Sequence, residues 1–256
     1  MNASGAGQGV PVLRTYLEFD PEHPVTHALL TDAHKGHRIT MAPFAYAMQS
    51  RDFFTGATGH ADHRSAHNIL WAVNTQGIAG VGSGIRTHRG EFAPAPRVRM
   101  MMQSDIEPRF DHHLCADLND ALLTDPVSRR YVPRTDAGTV IEYQVVVNPR
   151  QNTRIRVPGR DKPINRTTTP RGESQIQGWW VRKAIAAGLS PVEDPILDEP
   201  GERTLRKHGD DPGKARITHV RLTGKAMITD PSAYAEAAHV GIGSGRSYGC
   251  GLLLTR

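Results

Sequence analysis

Cysteine is scarce. Only Cys115 and Cys250 occur in 256 residues, and their separation matches no metal-binding spacing. That argues against a disulfide framework and makes a reducing cytoplasm the expected setting. Long apolar runs are also missing: none approaches the ~20 residues of a membrane-spanning helix. The first ten residues lack the basic and apolar blocks of a secretory signal, so 1–10 reads as a flexible tail. Aromatic residues make up only 6%, which leaves three tryptophans to account for. What remains is 38% hydrophobic and 22% charged, the balance of a globular protein with one large domain or two small ones.

Acidic residues are scarce in one place. Between Arg150 and Arg171 lie seven basic residues and one acid, Asp161, a net +6. The whole chain is +5, so the rest carries −1. A run of one sign is commonly a solvated loop. This one is interrupted by Pro158, Gly159 and Pro163, which suits a basic, hairpin-like finger that contacts phosphates. Arg154, Arg156, Arg160, Lys162 and Arg166 are its candidate nucleic-acid contacts.

Hydrophobic periodicity divides the chain into two similar element orders. Residues 12–19 read as a strand and 25–45 as a helix opened by Pro24. Ile69, Trp71 and Val73 mark a second strand, Val98, Met100 and Met102 a third, and 112–124 a second helix. Residues 126–138 read as a linker. A clear strand over 139–147 follows, then the basic stretch, then a helix over 172–187 that carries Trp179 and Trp180. Residues 191–214 read as a loop, and 217–222 with 226–228 as a hairpin turning at Thr223-Gly224-Lys225. Asp230-Pro231 opens a short helix, and 252–255 forms a last strand. The expected fold class is α+β: two tandem ferredoxin-like (RRM-like) domains with antiparallel sheets, over 11–133 and 134–256. The three tryptophans are expected to pack in the interior or at an interface.

The segment Gly241-Ile-Gly-Ser-Gly-Arg-Ser-Tyr-Gly-Cys-Gly251 has five glycines in eleven residues. It follows a helix instead of a strand and lacks the Gly-Lys-Ser/Thr ending of a P-loop, so it is not a nucleotide-binding fingerprint. It is either a structural turn or an anion-binding loop, in which glycine lets backbone N–H groups converge on a phosphate. Gly243, Ser244, Gly245, Arg246 and Ser247 are the candidate contacts, with Arg246 offering a charged fork.

GIGSGRSYGCGLLL, residues 241–254, resembles the C-terminal glycine-rich loop of the repeat-associated RNA-binding proteins, and most of all the CasE subunit of type I-E CRISPR systems. LEFDP (17–21), HKGHR (34–38), ILWAV (69–73), QSDIEP (103–108) and VVNPR (146–150) resemble further motifs of that family in the same order. The resemblance implies two ferredoxin-like domains that hold the stem-loop of a CRISPR repeat. It implies a ribonuclease, independent of metals and other cofactors, that cuts precursor crRNA once per repeat. It also implies one copy that stays on the mature crRNA beside the other subunits of a Cascade complex. The family's catalytic histidine corresponds to His37. A tyrosine often stands three residues before that histidine; here the position holds His34.

RNA carries its own nucleophile, the ribose 2′-OH. Cutting by that route requires an in-line geometry, removal of the 2′-OH proton and protonation of the leaving 5′-oxygen. Histidine, with an ordinary pKa of ~6.5, suits both proton transfers. His37 is the candidate proton-transfer group and His34, one helical turn away, the candidate second. Arg38 is a candidate phosphate contact. Two other classes compete: a binding-only Cascade module, and a metallohydrolase built on His34/His37 or on His60, His63 and His67. No carboxylate cluster accompanies either histidine set, and no metal site is expected.

Overall fold

A computed structural model of the protein describes residues 9–47, 63–76, 97–156, 164–170, 172–198, 201–205 and 215–256. The first half runs β1 (Val12–Phe19), α1 (Pro24–Thr31), α2 (Ala33–Met41), a 3₁₀ segment (Ala42–Ala47), α3 (His63–Ala66), β2 (Leu70–Gln76), β3 (Arg97–Ser104), α4 (Ala116–Asp120) and β4 (Val127–Tyr131). Its sheet has the order β2-β3-β1-β4, antiparallel throughout. The second half runs β5 (Val140–Val147), β6 (Gln151–Ile155), β7 (Ile164–Thr168), α5 (Glu173–Ala186), β8 (Leu189–Pro191), β9 (Ile196–Leu197), β10 (Gly201–Leu205), β11 (Ala215–Ile228), α6 (Pro231–Val240) and β12 (Leu253–Thr255). One edge of β11 pairs with β5, which pairs with β12; its other edge takes β10, β9 and β8 in turn. The order β12-β5-β11-β8 repeats the order β4-β1-β3-β2. The chain is thus α+β, with two ferredoxin-like units in tandem. No helix among the described residues is long and apolar enough to cross a membrane.

Strand alternation decides which face each sheet buries. Leu17, Phe19, Met100, Met102, Trp71 and Val73 point to one side of the first sheet and meet Leu29, Phe44 and Leu118. Tyr143, Val145, Val147 and Leu222 do the same in the second, beneath Trp179, Trp180 and Tyr234. The opposite faces meet each other: Leu70, Ala72 and Met101 pack on Val146, Leu252 and Leu254. This third cluster carries the C-terminal segment onto the first unit.

Several expectations need correction. The helix over 25–45 is two helices. Asp32 leaves the helical region with φ −118°, and its carboxylate accepts the N–H groups of His34 and Lys35, which caps α2. The helix over 112–124 is confined to a 3₁₀ turn and α4. The linker 126–138 contains β4, whose first four residues are exposed, so no apolar alternation marks it. The loop 191–214 contains β9 and β10. The hairpin over 217–228 is one continuous strand, β11. Gly224 is there because it lies opposite Tyr143: a Cβ would stand 2.8 Å from the Tyr143 hydroxyl. That hydroxyl accepts the Trp180 Nε1–H at 2.8 Å inside the core. All three tryptophans are buried, as expected.

Candidate RNA-processing site

Helix α2 is pressed against β2. A Cβ on Gly36 would lie 3.1 Å from the Trp71 ring and 3.3 Å from the Leu29 carbonyl, so glycine permits the close approach. Ala33, Gly36 and Thr40 are buried, His34 and His37 half-buried, and Arg38 exposed. The two histidines therefore share the face beside the buried stripe, three residues apart.

That face meets the glycine loop. The Tyr248 ring packs edge-on against His34 and His37, with ring centroids 5.9 and 6.2 Å away. His37 Nδ1 lies 3.1 Å from the Ser247 carbonyl oxygen. The same carbonyl accepts the Trp71 indole N–H at 3.3 Å. Arg64, at the start of the chain leading into β2, donates from Nε to the Ser247 hydroxyl at 3.1 Å and from Nη1 to the Ile69 carbonyl at 2.9 Å. Arg203 of β10 donates to the Tyr248 carbonyl at 2.8 Å and stacks over Trp71. Burial holds its guanidinium below the ordinary arginine range.

Gly241, Gly243, Gly245, Gly249 and Gly251 all have φ between 79° and 89°, where an L side chain is strained. The loop doubles back on itself, Ile242 N–H to Gly251 O at 2.9 Å, and hangs on β5 through Gly251 N–H to Val146 O at 2.7 Å. Ser244 bridges to Asn148. Arg246 is half-buried, and its Nη1 donates to the Val240 carbonyl at 2.8 Å, so part of its fork closes the end of α6.

The loop forms one wall of a cleft of about 1280 Å³. Trp179, Arg182 and Lys183 of α5 form another, and Arg150, Gln151 and Thr167, at the root of the β6–β7 hairpin, a third. Trp179 Nε1 donates to the Arg150 carbonyl at 3.0 Å, which fixes the hairpin root to α5. Five cations, Arg64, Arg150, Arg182, Lys183 and Arg246, line the cleft, with no acid among the described lining residues. Such a field favours a polyanion. Neither histidine lines the cleft, but both lie against Tyr248, and His37 also against Ser247, which do.

The structure thus brings together His34, His37, Gly243, Ser244, Gly245, Arg246 and Ser247. The basic stretch is the antiparallel hairpin β6–β7, with Arg154 and Arg156 exposed on it and the Arg166 backbone paired with Thr153. Arg160 and Lys162 lie outside the described residues. Arg38 is not at the cleft; it lines a separate groove with Val25, Lys35 and Leu118. His60 is outside the described residues, as is the glycine-rich stretch 77–90. Both cysteines are free and buried, and burial pushes each thiol up to about 11, so neither is a ready nucleophile. Sequence reading did not single out Arg64, Arg182, Lys183, Arg203 or Tyr248, and it counted Arg150 only as the first residue of the basic stretch. Tyr248 sat within the quoted glycine motif, and that was the one available signal.

The family model for CRISPR associated proteins matches residues 15–256. No curated protein matches the sequence. Among solved structures, the chain is similar to Thermus thermophilus Cse3 bound to an RNA representing a pre-cleavage complex, with 15% identity, a TM-score of 0.67, and coverage of 96% of this chain and 100% of that one. It is similar to the CRISPR endoribonuclease Cse3 bound to a 19 nt RNA, with 15% identity, a TM-score of 0.66, and coverage of 96% and 99%. It is also similar to a chain of a CRISPR RNA-guided surveillance complex in a pre-nicking state, with 20% identity, a TM-score of 0.51, and coverage of 95% and 98%. The fold of these structures is the one described above, and the family match bears out the CRISPR-associated resemblance of the sequence. This chain belongs to the family of CRISPR associated proteins.

Proposed function

We propose that the protein is a metal-independent endoribonuclease that binds the stem-loop of CRISPR repeat RNA and cuts the precursor at one bond per repeat. The carrying observation is the convergence of a histidine pair, a left-handed glycine loop and a cation-lined cleft contributed by both halves of the chain. The proteins it resembles in fold include an endoribonuclease bound to RNA and a member of an RNA-guided surveillance complex, which supports the same reading.

In this reading the unit over 11–133 carries the histidine helix, and the unit over 134–256 carries the hairpin and the loop. The repeat stem lies along the cleft. Arg150, Arg182 and Lys183 hold its phosphates, with Arg154, Arg156, Arg160, Lys162 and Arg166 of the hairpin extending the grip. Most of this contact is to backbone and shape, because the deep major groove of A-form RNA limits base reading. The scissile phosphate reaches the glycine loop. His37 takes the proton of the 2′-OH as that oxygen attacks the adjacent phosphorus, and the bond to the 5′-oxygen breaks. His34 is the second proton-transfer group, returning a proton to the leaving oxygen. Loop N–H groups and Arg246 face the charge that builds on the phosphate. The products are a 2′,3′-cyclic phosphate and a 5′-OH. The enzyme stays on the product hairpin, one copy per complex, beside other Cascade subunits in the cytoplasm.

His37→Ala tests the assignment. Cleavage of repeat RNA should fall by ~10²–10⁴-fold, the usual contribution of a proton-transfer group. Hairpin affinity in a gel shift should stay near wild type. Equal loss of binding would move His37 from chemistry to recognition. Normal cleavage would leave a binding-only module.

A further inference from the structure

A carbonyl oxygen only accepts hydrogen bonds. The 3.1 Å contact between His37 Nδ1 and the Ser247 carbonyl therefore requires a proton on Nδ1. In the neutral ring the lone pair must then sit on Nε2. From this we infer that Trp71 and Arg203 are positioning residues: they hold the Ser247–Tyr248 backbone so that the Ser247 carbonyl fixes His37 as the Nδ1–H tautomer and makes Nε2 the reactive nitrogen. The inference rests on the reading of His37 given above and adds which atom acts and what sets it.

The Ser247 carbonyl has two lone pairs, one for His37 and one for the Trp71 indole N–H at 3.3 Å. The next carbonyl, that of Tyr248, accepts from Arg203 at 2.8 Å. Arg203 is 4% exposed and Trp71 fully buried, and the guanidinium stacks over the indole at 5.3 Å. Neither can reach an RNA in the cleft, so neither is explained by binding. Gly249 shows how tight the arrangement is: a Cβ there would lie 2.7 Å from Arg203 Nη1 and 2.8 Å from the Trp71 ring. The three donors come from different parts of the chain: α2, β2 and β10. They converge on two successive carbonyls. The Tyr248 ring also lies edge-on against both histidines. The loop thus orients the base as well as walling the cleft.

Histidine-ring ¹⁵N–¹H correlation spectra of the full-length protein, assigned with His37→Gln, read the tautomer directly. Neutral His37 should show Nδ1 protonated and Nε2 bare; an Nε2–H tautomer overturns the inference. Trp71→Phe keeps a buried ring and removes the N–H. It should mix the His37 tautomers and slow single-turnover cleavage by at least about tenfold, with RNA affinity within about twofold of wild type. Arg203→Lys keeps the charge without the planar fork and should act in the same direction more mildly. Unchanged tautomers in a folded Trp71→Phe protein, or a rate loss matched by an affinity loss, would sink the positioning role. The wild-type spectrum needs no variant to fold and no cleavage to occur. If His37→Ala cuts normally while the Nδ1–H tautomer is seen, the catalytic reading fails and the tautomer assignment survives.

Discussion

The cations of the cleft divide by what else they do, and that sets the size of one effect. Arg64 is 6% exposed and donates to Ile69 and Ser247. Arg246 is half-buried and closes α6 through Val240. Arg64 is thus committed to the fold, while Arg246 gives part of its fork to the fold and keeps the rest for the loop. Arg150, Arg182 and Lys183 are exposed on the cleft walls and have charge to give to a ligand. Each phosphate contact contributes about 0.7–0.9 to the slope of log affinity against log salt through counterion release. Replacing the three together with Gln should therefore flatten that slope by about 2–3 for a repeat hairpin. Affinity near physiological salt should drop in step. The bond that is cut should not move, because the histidine helix is untouched. Filter binding or fluorescence anisotropy from low to moderate salt, beside circular dichroism to confirm the fold, measures this. Arg154→Gln with Arg156→Gln on the hairpin should flatten the slope by a further ~1.4–1.8 if both grip phosphates. A slope unchanged in the triple variant would show that the RNA does not lie in this cleft.

Two further predictions concern the fold beneath the site. Gly224→Val should force a Cβ against the Tyr143 hydroxyl, break its bond with Trp180, and cost about 2–4 kcal/mol, read as a lowered Tm. An unchanged Tm would mean β11 can shift its register there. His219, opposite Gly201, is held down to about 3 by burial and by the nearby Arg203 and Arg221, against an ordinary 6.5. The unfolded chain then binds a proton that the folded chain refuses, so this group makes stability fall as pH drops from about 6.5 toward 3. Its slope is at most about 1.4 kcal/mol per pH unit. Denaturant titrations of a folded His219→Gln protein should show a shallower acid limb; an identical limb would remove His219 as a cause.

The parts of the fold that read plainly in the sequence are those whose side-chain pattern is set by burial. The strand Val140–Val147 alternates into a core of Ile, Val and Tyr, and α5 buries Ile176, Trp179, Trp180 and Ala184, three to four residues apart along one face. The parts that misled have other causes. The edge strand β4 buries almost nothing, so no pattern marks it. Gly224 imitates a turn residue, yet it makes room for Tyr143 across the sheet. Asp32 interrupts an otherwise continuous helical pattern to cap α2. At the site, His34 and His37 were legible through the family motif and the glycine loop through its composition. Tyr248, Arg64 and Arg203 were not, because their roles arise from contacts spanning tens to hundreds of residues. No local pattern encodes where β10 and the glycine loop meet β2 and α2.

The central claim is that the 2′-OH of the substrate, and no metal-bound water, is the nucleophile. It is tested most directly with two repeat RNAs in EDTA, one all-ribose and one with a single deoxyribose on the 5′ side of the cut. The all-ribose RNA should be cut at one bond, leaving a 2′,3′-cyclic phosphate (or the 3′-phosphate derived from it) and a 5′-OH. The deoxy RNA should bind as tightly and remain intact. Cutting of the deoxy RNA at the same bond, or cutting of the ribose RNA only when a divalent metal is restored, would contradict the account.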